Sequence, residues 1–363
     1  MNTASFWLNR KLTALKLLQA ISMNGNRTFN RNSNSEIIRQ SAETLLSCEN
    51  DFALMKQAVD QMYQVFSRIT GITIDQLNGY KDVMLPSGKA ISPPAAAHCL
   101  LELRRTAVFL RGINKAISQK LQEKKGEQLR ILYAGTGPYG TLVIPLLLLY
   151  YVKEIKVDLL DINPDSLTAL QKIIMTLGLS DYIGEVYCLD ATTIKLSFQY
   201  DIVVSETMQA CLKNEPQVAV MQNIIPQLDD QCFFIPEEIS IDASLVNPRM
   251  EMDRMLSWGK EQLSFERCWL SNVYTLNRHD LHSIMSPKKI LIPGDATADF
   301  PVLKLFTTVK VFEDEVLTEN NSSLNMPKQY YDFREQPADE VEFWYVLSEK
   351  PGIESKLKEN NFC

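Results

Sequence analysis

The sequence predicts an α/β fold in which a parallel sheet lies between a helical N-terminal domain and an antiparallel, barrel-like β domain. Three observations predict it. Apolar positions recur at helical spacing before residue 90, strand-like and helix-like segments alternate over 129–230, and β-rich segments with long polar connections follow Leu228. Such alternation is typical of parallel sheets covered by helices, with ligands at the carboxyl ends of the strands. We expect domains at 1–90, 91–236 and 237–363.

The N-terminal domain is predicted from apolar residues that recur every three or four positions. Helices are expected over three ranges, 5–22, 35–47 and 51–69, with an Asn-rich break at 24–34. The Met and Phe stripe of the third helix is typical of a buried face. A turn-rich linker at 85–94 and a helix from Ala95 to about Leu121 lead into the sheet.

The central segment alternates strands and helices, and the C-terminal segment is rich in β-forming residues. The expected central elements are strand 129–134, helix 139–151, strand 156–161, helix 164–178, strands 185–189 and 201–205, and helix 216–227. The expected C-terminal strands lie in 232–246, 301–314 and 340–349, with an insertion at 249–285. The change of pattern indicates an antiparallel C-terminal domain.

Composition argues against several classes of protein. Hydrophobic residues make up 45% of the chain and charged residues 22%, which is ordinary for a globular protein. The net charge of −7 argues against nucleic acid as a partner and suits a cationic substrate. No segment has the roughly 18 apolar residues of a membrane span, and no signal peptide is recognised. The seven cysteines include no CxxC pair, which favours reduced thiols in a cytoplasmic protein, and we assign no metal ligands.

The most informative segment is LRILYAGTGPYG at 129–140, an apolar strand that runs into three glycines. Glycines at this spacing let the backbone turn sharply and approach a ligand closely. The pattern predicts a nucleotide-like cofactor, with four candidate binding residues: Gly135, Thr136, Gly137 and Gly140. The alternative is a glycine turn after a buried strand, without a ligand.

An acidic residue ends the second predicted strand. Asp161 lies 21 residues beyond Gly140, where a carboxylate accepts hydrogen bonds from the ribose hydroxyls of a bound nucleotide. The alternative is a turn or a helix N-cap ahead of Asn163.

Two glutamates follow the strand expected over 201–205. The chain there reads SETMQACLKNEPQ, with Glu206 and Glu215 nine residues apart. Two nearby carboxylates would orient a cationic group and offset its desolvation. At 4 Å and an effective dielectric near 20, each pair contributes about 4 kcal/mol before solvation costs. The alternative makes Glu206 a strand-end acid and Glu215 a helix-start residue before Pro216.

Together these features resemble class I S-adenosylmethionine (SAM) methyltransferases, and the protein arginine methyltransferases in particular. The segment LRRTAVFLRGI at 103–113 is similar to the family helix in which an Arg-Thr pair precedes the cofactor strand. The most specific feature is the family's double-glutamate loop, Ser-Glu-x-Met…Leu-x-x-Glu. It is matched by Ser205, Glu206, Met208, Leu212 and Glu215. The resemblance covers roughly 95–246.

The resemblance implies a SAM cofactor and a Rossmann-like sheet to hold it. Arg105 would bind the SAM carboxylate, a task suited to a bidentate guanidinium. Asp190, after the third strand, would contact the adenine, and Ser205 joins the cofactor-binding candidates. Glu206 and Glu215 would be the catalytic pair. The alternative for Arg105 is a surface arginine beside its neighbour Arg104.

Departures from the family pattern bear on the substrate. Tyr133 stands where the first cofactor strand usually ends in an acid, the loop is GxGxxG rather than GxGxG, and no Thr-His-Trp segment follows. They favour a free arginine-like amino acid, a peptide or a natural product as the cationic acceptor. The leading hypothesis is a SAM-dependent N-methyltransferase of a guanidino or amino group. The alternatives are an O- or C-methyltransferase of small-molecule biosynthesis, a catalytically silent SAM-binding scaffold, and a nicotinamide dehydrogenase. The dehydrogenase would leave the segment SETMQACLKNE without a role.

The resemblance also implies a homodimer, because the family's β domain carries an arm that docks on a partner's cofactor domain. The segment 249–285 is the candidate counterpart of that arm. The alternative is an internal helix packed on its own barrel.

Overall fold

Two helices begin the part of the chain that the computed structural model describes, residues 31–256 and 266–358. They are α1 (Arg31–Ser47) and α2 (Phe52–Thr70), and both lie where helices were expected. The Asp51 carboxylate accepts the N–H groups of Ala53 and Leu54 at the start of α2, and Gly71 ends it with a left-handed φ of 76°. The helix predicted over 5–22 lies outside the described residues.

A hairpin occupies much of the segment predicted as a linker. Its strands are β1 (Val83–Leu85) and β2 (Gly88–Ala90), and two helices follow, α3 (Pro93–His98) and α4 (Leu103–Lys124). The single helix expected from Ala95 is interrupted, because Glu102 has extended backbone (φ −79°, ψ 92°). A tertiary contact accompanies this break, since the Glu102 carboxylate accepts the N–H and the hydroxyl of Ser323 at 2.8 and 2.7 Å.

The central parallel sheet follows the predicted alternation. Its strands are β3 (Leu129–Ala134), β4 (Ile155–Asp161), β5 (Ile183–Cys188), β6 (Ile202–Ser205) and β7 (Phe233–Ile235), and its helices are α5 (Ile144–Leu147), α6 (Pro164–Leu177) and α7 (Gln217–Ile224). The strand order is β5-β4-β3-β6-β7, with every pair parallel. The direction of strand addition reverses between β3 and β6. Sheets of this kind bind ligands at such a switch point.

Two further elements differ from the sequence prediction. The helix expected over 139–151 is reduced to α5, because Gly140 has a left-handed φ of 59° and Pro145 is tolerated only in the first helical turn. The strand expected over 232–246 is divided between two sheets. β7 pairs with β6, whereas β8 (Glu238–Val246) begins after Pro236, which has no N–H to donate to a ladder.

The C-terminal region is antiparallel, as predicted. After β8 its elements are α8 (Pro248–Leu256), β9 (Cys268–Asn277), β10 (Lys288–Leu291), α9 (Ala296–Asp299), β11 (Val302–Phe312), β12 (Glu315–Leu317), β13 (Lys328–Asp332), β14 (Glu340–Val346) and β15 (Gly352–Lys358). They form two sheets, β12-β11-β8-β9 with β13 also paired to β11, and β10-β14-β15. Within the predicted insertion, β9 pairs antiparallel with β8. The α/β fold class is confirmed, and the homodimer stays a prediction.

One hydrophobic cluster connects the helices with the parallel sheet and the antiparallel sheets. Helices α1 and α2 pack against α4 and α6. The hydroxyl of Tyr139, in the glycine loop, donates to the Ile72 carbonyl at 2.6 Å, so the N-terminal helices support this loop. The domain boundaries at 90 and 236 stay a prediction. Within the described ranges no helix combines the length and the apolar character needed to cross a membrane.

Candidate active site

A cavity of about 1270 Å³ opens at the carboxyl ends of β3, β4 and β6. It brings together eight of the ten residues that sequence analysis predicted: Arg105, Gly135, Thr136, Gly137, Asp161, Asp190, Glu206 and Glu215. The hairpin and the antiparallel region complete its walls. The site is therefore assembled from the hairpin, the parallel sheet and the antiparallel region, and in the described chain the helices α1 and α2 contribute no lining residue.

The glycine loop presents its backbone to this cavity. Gly135 and Gly137 have left-handed φ angles of 79° and 57°. A Cβ atom at Gly135 would lie 2.6 Å from Cγ2 of Thr207, and one at Gly137 would lie 3.2 Å from Cβ of Ala96. The loop can take this shape only because these positions carry no side chain.

Asp161 is organised by the glycine loop. Its Oδ2 accepts the Gly137 N–H at 2.8 Å and the Thr136 hydroxyl at 3.3 Å, and its Oδ1 accepts the Asn163 N–H at 2.8 Å. Burial raises the pKa of this carboxyl, and these hydrogen bonds oppose the shift. The helix N-cap is Asn163, whose side chain accepts the Asp165 N–H at 2.9 Å.

Two predicted cofactor residues, Gly140 and Ser205, are absent from the cavity lining within the described residues. A Cβ at Gly140 would lie 2.8 Å from Cδ1 of Leu170, so this glycine allows close packing on α6. Ser205 is fully buried, and its carbonyl accepts the side-chain N–H of Gln217 at 3.2 Å. Both residues pack beneath the cavity lining and support it without being part of it.

Asp190 lines the cavity at the end of β5. Its Oδ1 accepts the N–H and the hydroxyl of Thr192 at 2.8 and 2.7 Å. These bonds hold the turn after the strand.

Arg105, which the sequence assigned to the cofactor, forms an ion pair with Glu206, which the sequence assigned to the methyl acceptor. Its guanidinium bonds to Oε2 of Glu206 and, at 3.2 Å, to Oε1 of Glu102. The Arg105 side chain is 10% exposed and that of Glu206 is 3% exposed. One guanidinium therefore connects the predicted cofactor-carboxylate site with the predicted acceptor site.

The two glutamates are differently partnered. Oε1 of Glu206 is buried and accepts no hydrogen bond from the residues that the structure describes. Oε1 of Glu215 accepts the side-chain N–H of Gln209 at 2.9 Å. Burial, and secondly the charge of Glu206, raise the pKa of Glu215 to about 7. Burial also raises the pKa of Glu206, and the nearby Arg105 opposes that shift.

The loop between the glutamates is held in an unfavourable conformation. Three non-glycine residues have left-handed backbone: Cys211, Leu212 and Asn214, with φ angles of 59°, 53° and 67°. Such conformations cost about 1–3 kcal/mol each and persist only when their surroundings impose them. Here Thr307 accepts the Cys211 N–H at 2.9 Å and the Tyr345 hydroxyl donates to the Leu212 carbonyl at 3.0 Å. The Asn214 N–H donates to the Pro351 carbonyl at 2.8 Å.

Sequence reasoning missed several supporting residues. The side-chain carbonyl of Gln217 accepts the N–H and the hydroxyl of Thr207, at 2.8 and 3.0 Å, just after Glu206. Lys89 donates its backbone N–H to the Asn214 carbonyl at 2.8 Å. Gly88, with φ 137°, permits this approach, since a Cβ there would lie 3.0 Å from the Asn214 carbonyl oxygen. The only local sequence signal for these residues was the glycine in LPSGKA. The partners of Gln209 and Gln217 depend on tertiary packing.

No group of three or more His, Cys, Asp or Glu side chains in the described ranges is arranged to hold a metal ion. The six cysteines within those ranges are free of disulfides. The cytoplasmic location stays a prediction.

Comparisons with known proteins identify the fold. The chain matches no protein-family profile, and no curated protein matches it significantly. Among solved structures it is similar to the protein arginine methyltransferase PRMT1 of Trypanosoma brucei, solved as an enzyme–prozyme heterotetrameric complex with AdoHcy. That match has a TM-score of 0.50 and 11% identity, and covers 74% of this chain and 94% of that one. Two structures of PRMT6, one with SAH, have TM-scores of 0.49, identities of 11% and 13%, and cover 73% of this chain and 99% of theirs.

Identity of 11% makes the PRMT1 likeness one of fold. It agrees with the parallel sheet, the antiparallel C-terminal region and the order in which they occur. The resemblance drawn from the sequence is thereby confirmed at the level of architecture. The chain has the fold of an arginine-methyltransferase-like class I methyltransferase.

Proposed function

We propose that the chain is a SAM-dependent N-methyltransferase that acts on a guanidino or amino group. The observation that carries the proposal is the pair of carboxylates, Glu206 and Glu215, that line one cavity with the glycine loop. A buried oxygen that accepts no hydrogen bond from the described residues, such as Oε1 of Glu206, lowers the stability of the folded chain. A protonated nitrogen of the methylated substrate would donate the missing hydrogen bond. We favour a free arginine-like amino acid, a peptide or a natural product as the acceptor.

The residues at the ends of β3 and β4 fit a SAM cofactor. Gly135 and Gly137 place peptide groups, rather than side chains, at the cavity surface. Asp161 would accept the ribose hydroxyls, and the planar guanidinium of Arg105 suits the cofactor carboxylate. The PRMT1 structure of similar fold holds AdoHcy, the product that SAM leaves after transfer. When bound, SAM supplies a methyl group carried on a positively charged sulfur.

The two glutamates would orient the acceptor and receive its proton. Glu206 and Glu215 offer negative charge in a site from which most water is excluded, where each ion pair is stronger than in bulk water. They would localise the positive charge of the acceptor and leave one nitrogen free to attack. Glu215, whose pKa is raised to about 7, can take up the proton that this nitrogen releases. Gln209 holds the Glu215 carboxylate in place.

The experiment that tests the proposal is methyl transfer from tritiated SAM to a panel of acceptors. The panel contains free arginine, amidines, primary amines, peptides, phenols and catechols. Label on nitrogen of a guanidino or amino compound is the expected result. Label on oxygen or carbon alone, or binding of SAM without transfer to any acceptor class, would contradict it. Tight binding of a nicotinamide cofactor in place of SAM would contradict the cofactor assignment.

Activity is expected to increase with pH through the neutral range. Glu215 must be ionised to bind a cation and to accept a proton, so kcat/KM should fall about tenfold per pH unit below its pKa of about 7. Measurement of kcat/KM against pH checks this. In Glu215→Gln the inflection of the pH profile should disappear along with most of the activity. The control is Glu354→Gln, which changes an exposed acid on the cavity wall and should keep both the inflection and the activity.

A stability measurement separates this role from a structural one. The folded-state pKa of Glu215 lies above its usual value of 4.5, so the folded chain binds more protons and loses stability as pH rises through about 7. Above that pH, Glu215→Gln should therefore unfold at a higher temperature than the unchanged protein. A helix-start role would instead make the variant less stable, and an unchanged pH profile would refute the catalytic role.

A further inference from the structure

Lysines line the outer part of the candidate active-site cavity, although the whole chain has a net charge of −7. Five are part of the lining: Lys81, Lys89, Lys213, Lys328 and Lys350. Lys89 is paired with Asp82 at 2.7 Å. Positive charge at this position is unexpected in a site whose two catalytic candidates are carboxylates.

Three of these lysines belong to the wall formed by the glutamate loop and the antiparallel region. Lys213, Lys328 and Lys350 are exposed, and no carboxylate among residues 31–256 and 266–358 lies within ion-pair distance of their ammonium groups. One exposed acid, Glu354, is part of the same wall. This wall therefore has a surplus of positive charge that no carboxylate of the described chain pairs with.

The three lysines line the same cavity as the two glutamates and lie on segments that contact the glutamate loop or the strand that holds it. Lys213 lies two residues before Glu215, and its Cγ lies 3.5 Å from the position of a Cβ at Gly352. The Asn214 N–H bond to Pro351 holds this loop against the segment that carries Lys350. Lys328 pairs with Leu305 of β11, two residues from Thr307, whose hydroxyl accepts the Cys211 N–H of the glutamate loop.

We propose that the methyl acceptor carries a carboxylate, which Lys213, Lys328 and Lys350 bind while its cationic nitrogen lies between Glu206 and Glu215. This inference rests on the proposed function and names the substrate class for it. A zwitterionic acceptor satisfies both charge patterns of the cavity. A peptide rich in arginine would place further cations beside three lysines, an arrangement that like-charge repulsion disfavours.

The test compares acceptors that differ only in the carboxylate. Arginine is paired with agmatine, and the peptide amide Gly-Arg-Asp with Gly-Arg-Asn, so the two pairs distinguish a free amino acid from an acidic residue in a peptide. Methyl transfer gives kcat/KM, and calorimetry with S-adenosylhomocysteine present gives affinity independently of turnover. We expect the carboxylated member of at least one pair to be favoured about tenfold or more, and the preference to weaken as salt screens the lysines.

Single variants Lys213→Gln, Lys328→Gln and Lys350→Gln should each reduce that preference about two- to fivefold. Lys328 and Lys350 lie outside the strained loop, so their variants keep the test independent of loop folding. SAM affinity should not change. Lys172→Gln, which removes one exposed charge from α6 outside the cavity lining, is the matched control.

The outcomes separate this inference from the proposed function. Equal kcat/KM within both pairs, or a preference that the three lysine variants leave unchanged, would overturn the carboxylate site while methyl transfer to nitrogen still supported the N-methyltransferase. Absence of both transfer and binding for every guanidino and amino compound would overturn the proposed function, and this inference with it.

Discussion

Glu206→Gln is expected to lower methyl transfer at saturating SAM by about 10²-fold or more while leaving the fold intact. Gln has nearly the same shape but no charge, so the acceptor cation loses one of its two anionic partners in a site from which water is largely excluded. The side chain of Glu206 is 3% exposed, and solvent therefore cannot replace the lost interaction. Kinetics with the acceptor found in the panel measure the effect, and calorimetry measures SAM binding.

The matched control is Glu102→Gln, because Glu102 is the other carboxylate bonded to Arg105. If the loss in Glu206→Gln came only from a loosened Arg105, both variants would show it to a similar degree. We expect Glu102→Gln to change SAM affinity more than it changes transfer at saturating SAM. The double variant Glu206→Gln/Glu215→Gln should cost less than the sum of the single changes, since both act on one group. Full activity in Glu206→Gln would refute the mechanism.

Asp161→Asn and Asp161→Ala are expected to weaken SAM binding by about 1–3 kcal/mol, or roughly 5- to 150-fold. The carboxylate accepts the Gly137 N–H and the Thr136 hydroxyl, so its loss removes both the ribose acceptor and the bonds that hold the glycine loop. Asn keeps one acceptor oxygen and the side-chain volume. It should therefore be the milder change for the fold, which calorimetry and thermal unfolding together would show.

Asp165→Asn is the control for this pair. Asp165 lies four residues from Asp161 and is exposed in the first turn of α6. Its substitution by Asn removes the same charge, but Asp165 does not line the cavity. An unchanged SAM affinity in Asp161→Asn, or an equal loss in Asp165→Asn, would contradict the ribose assignment.

Local sequence patterns were sufficient for the framework of the site. The strand before Gly135, the strand before Asp161 and the strand before Glu206 each follow from apolar runs of a few residues, and all three occur in the parallel sheet. Parallel strands present their carboxyl ends at one edge, so the sequence also predicts that these residues meet. The helix expected after the glycine loop is the exception, since Gly140 and Pro145 restrict it to four residues.

Only the tertiary structure decided how those residues are partnered. Arg105 and Glu206 are 101 residues apart in sequence, and no local pattern indicates that they form an ion pair. The glutamate loop takes its left-handed conformation because Thr307, Tyr345 and Pro351 hold it, and these residues belong to the antiparallel region.

The sequence by itself therefore determined most of the elements, the glycine turn and the spacing of the two carboxylates. The tertiary structure decided which oxygen of Glu206 lacks a donor and which lysines line the cavity. The physical reason is the range of the forces involved. Backbone preferences and hydrophobic periodicity act over a few neighbouring residues, whereas charge partners and desolvation depend on groups that packing brings together from distant parts of the chain.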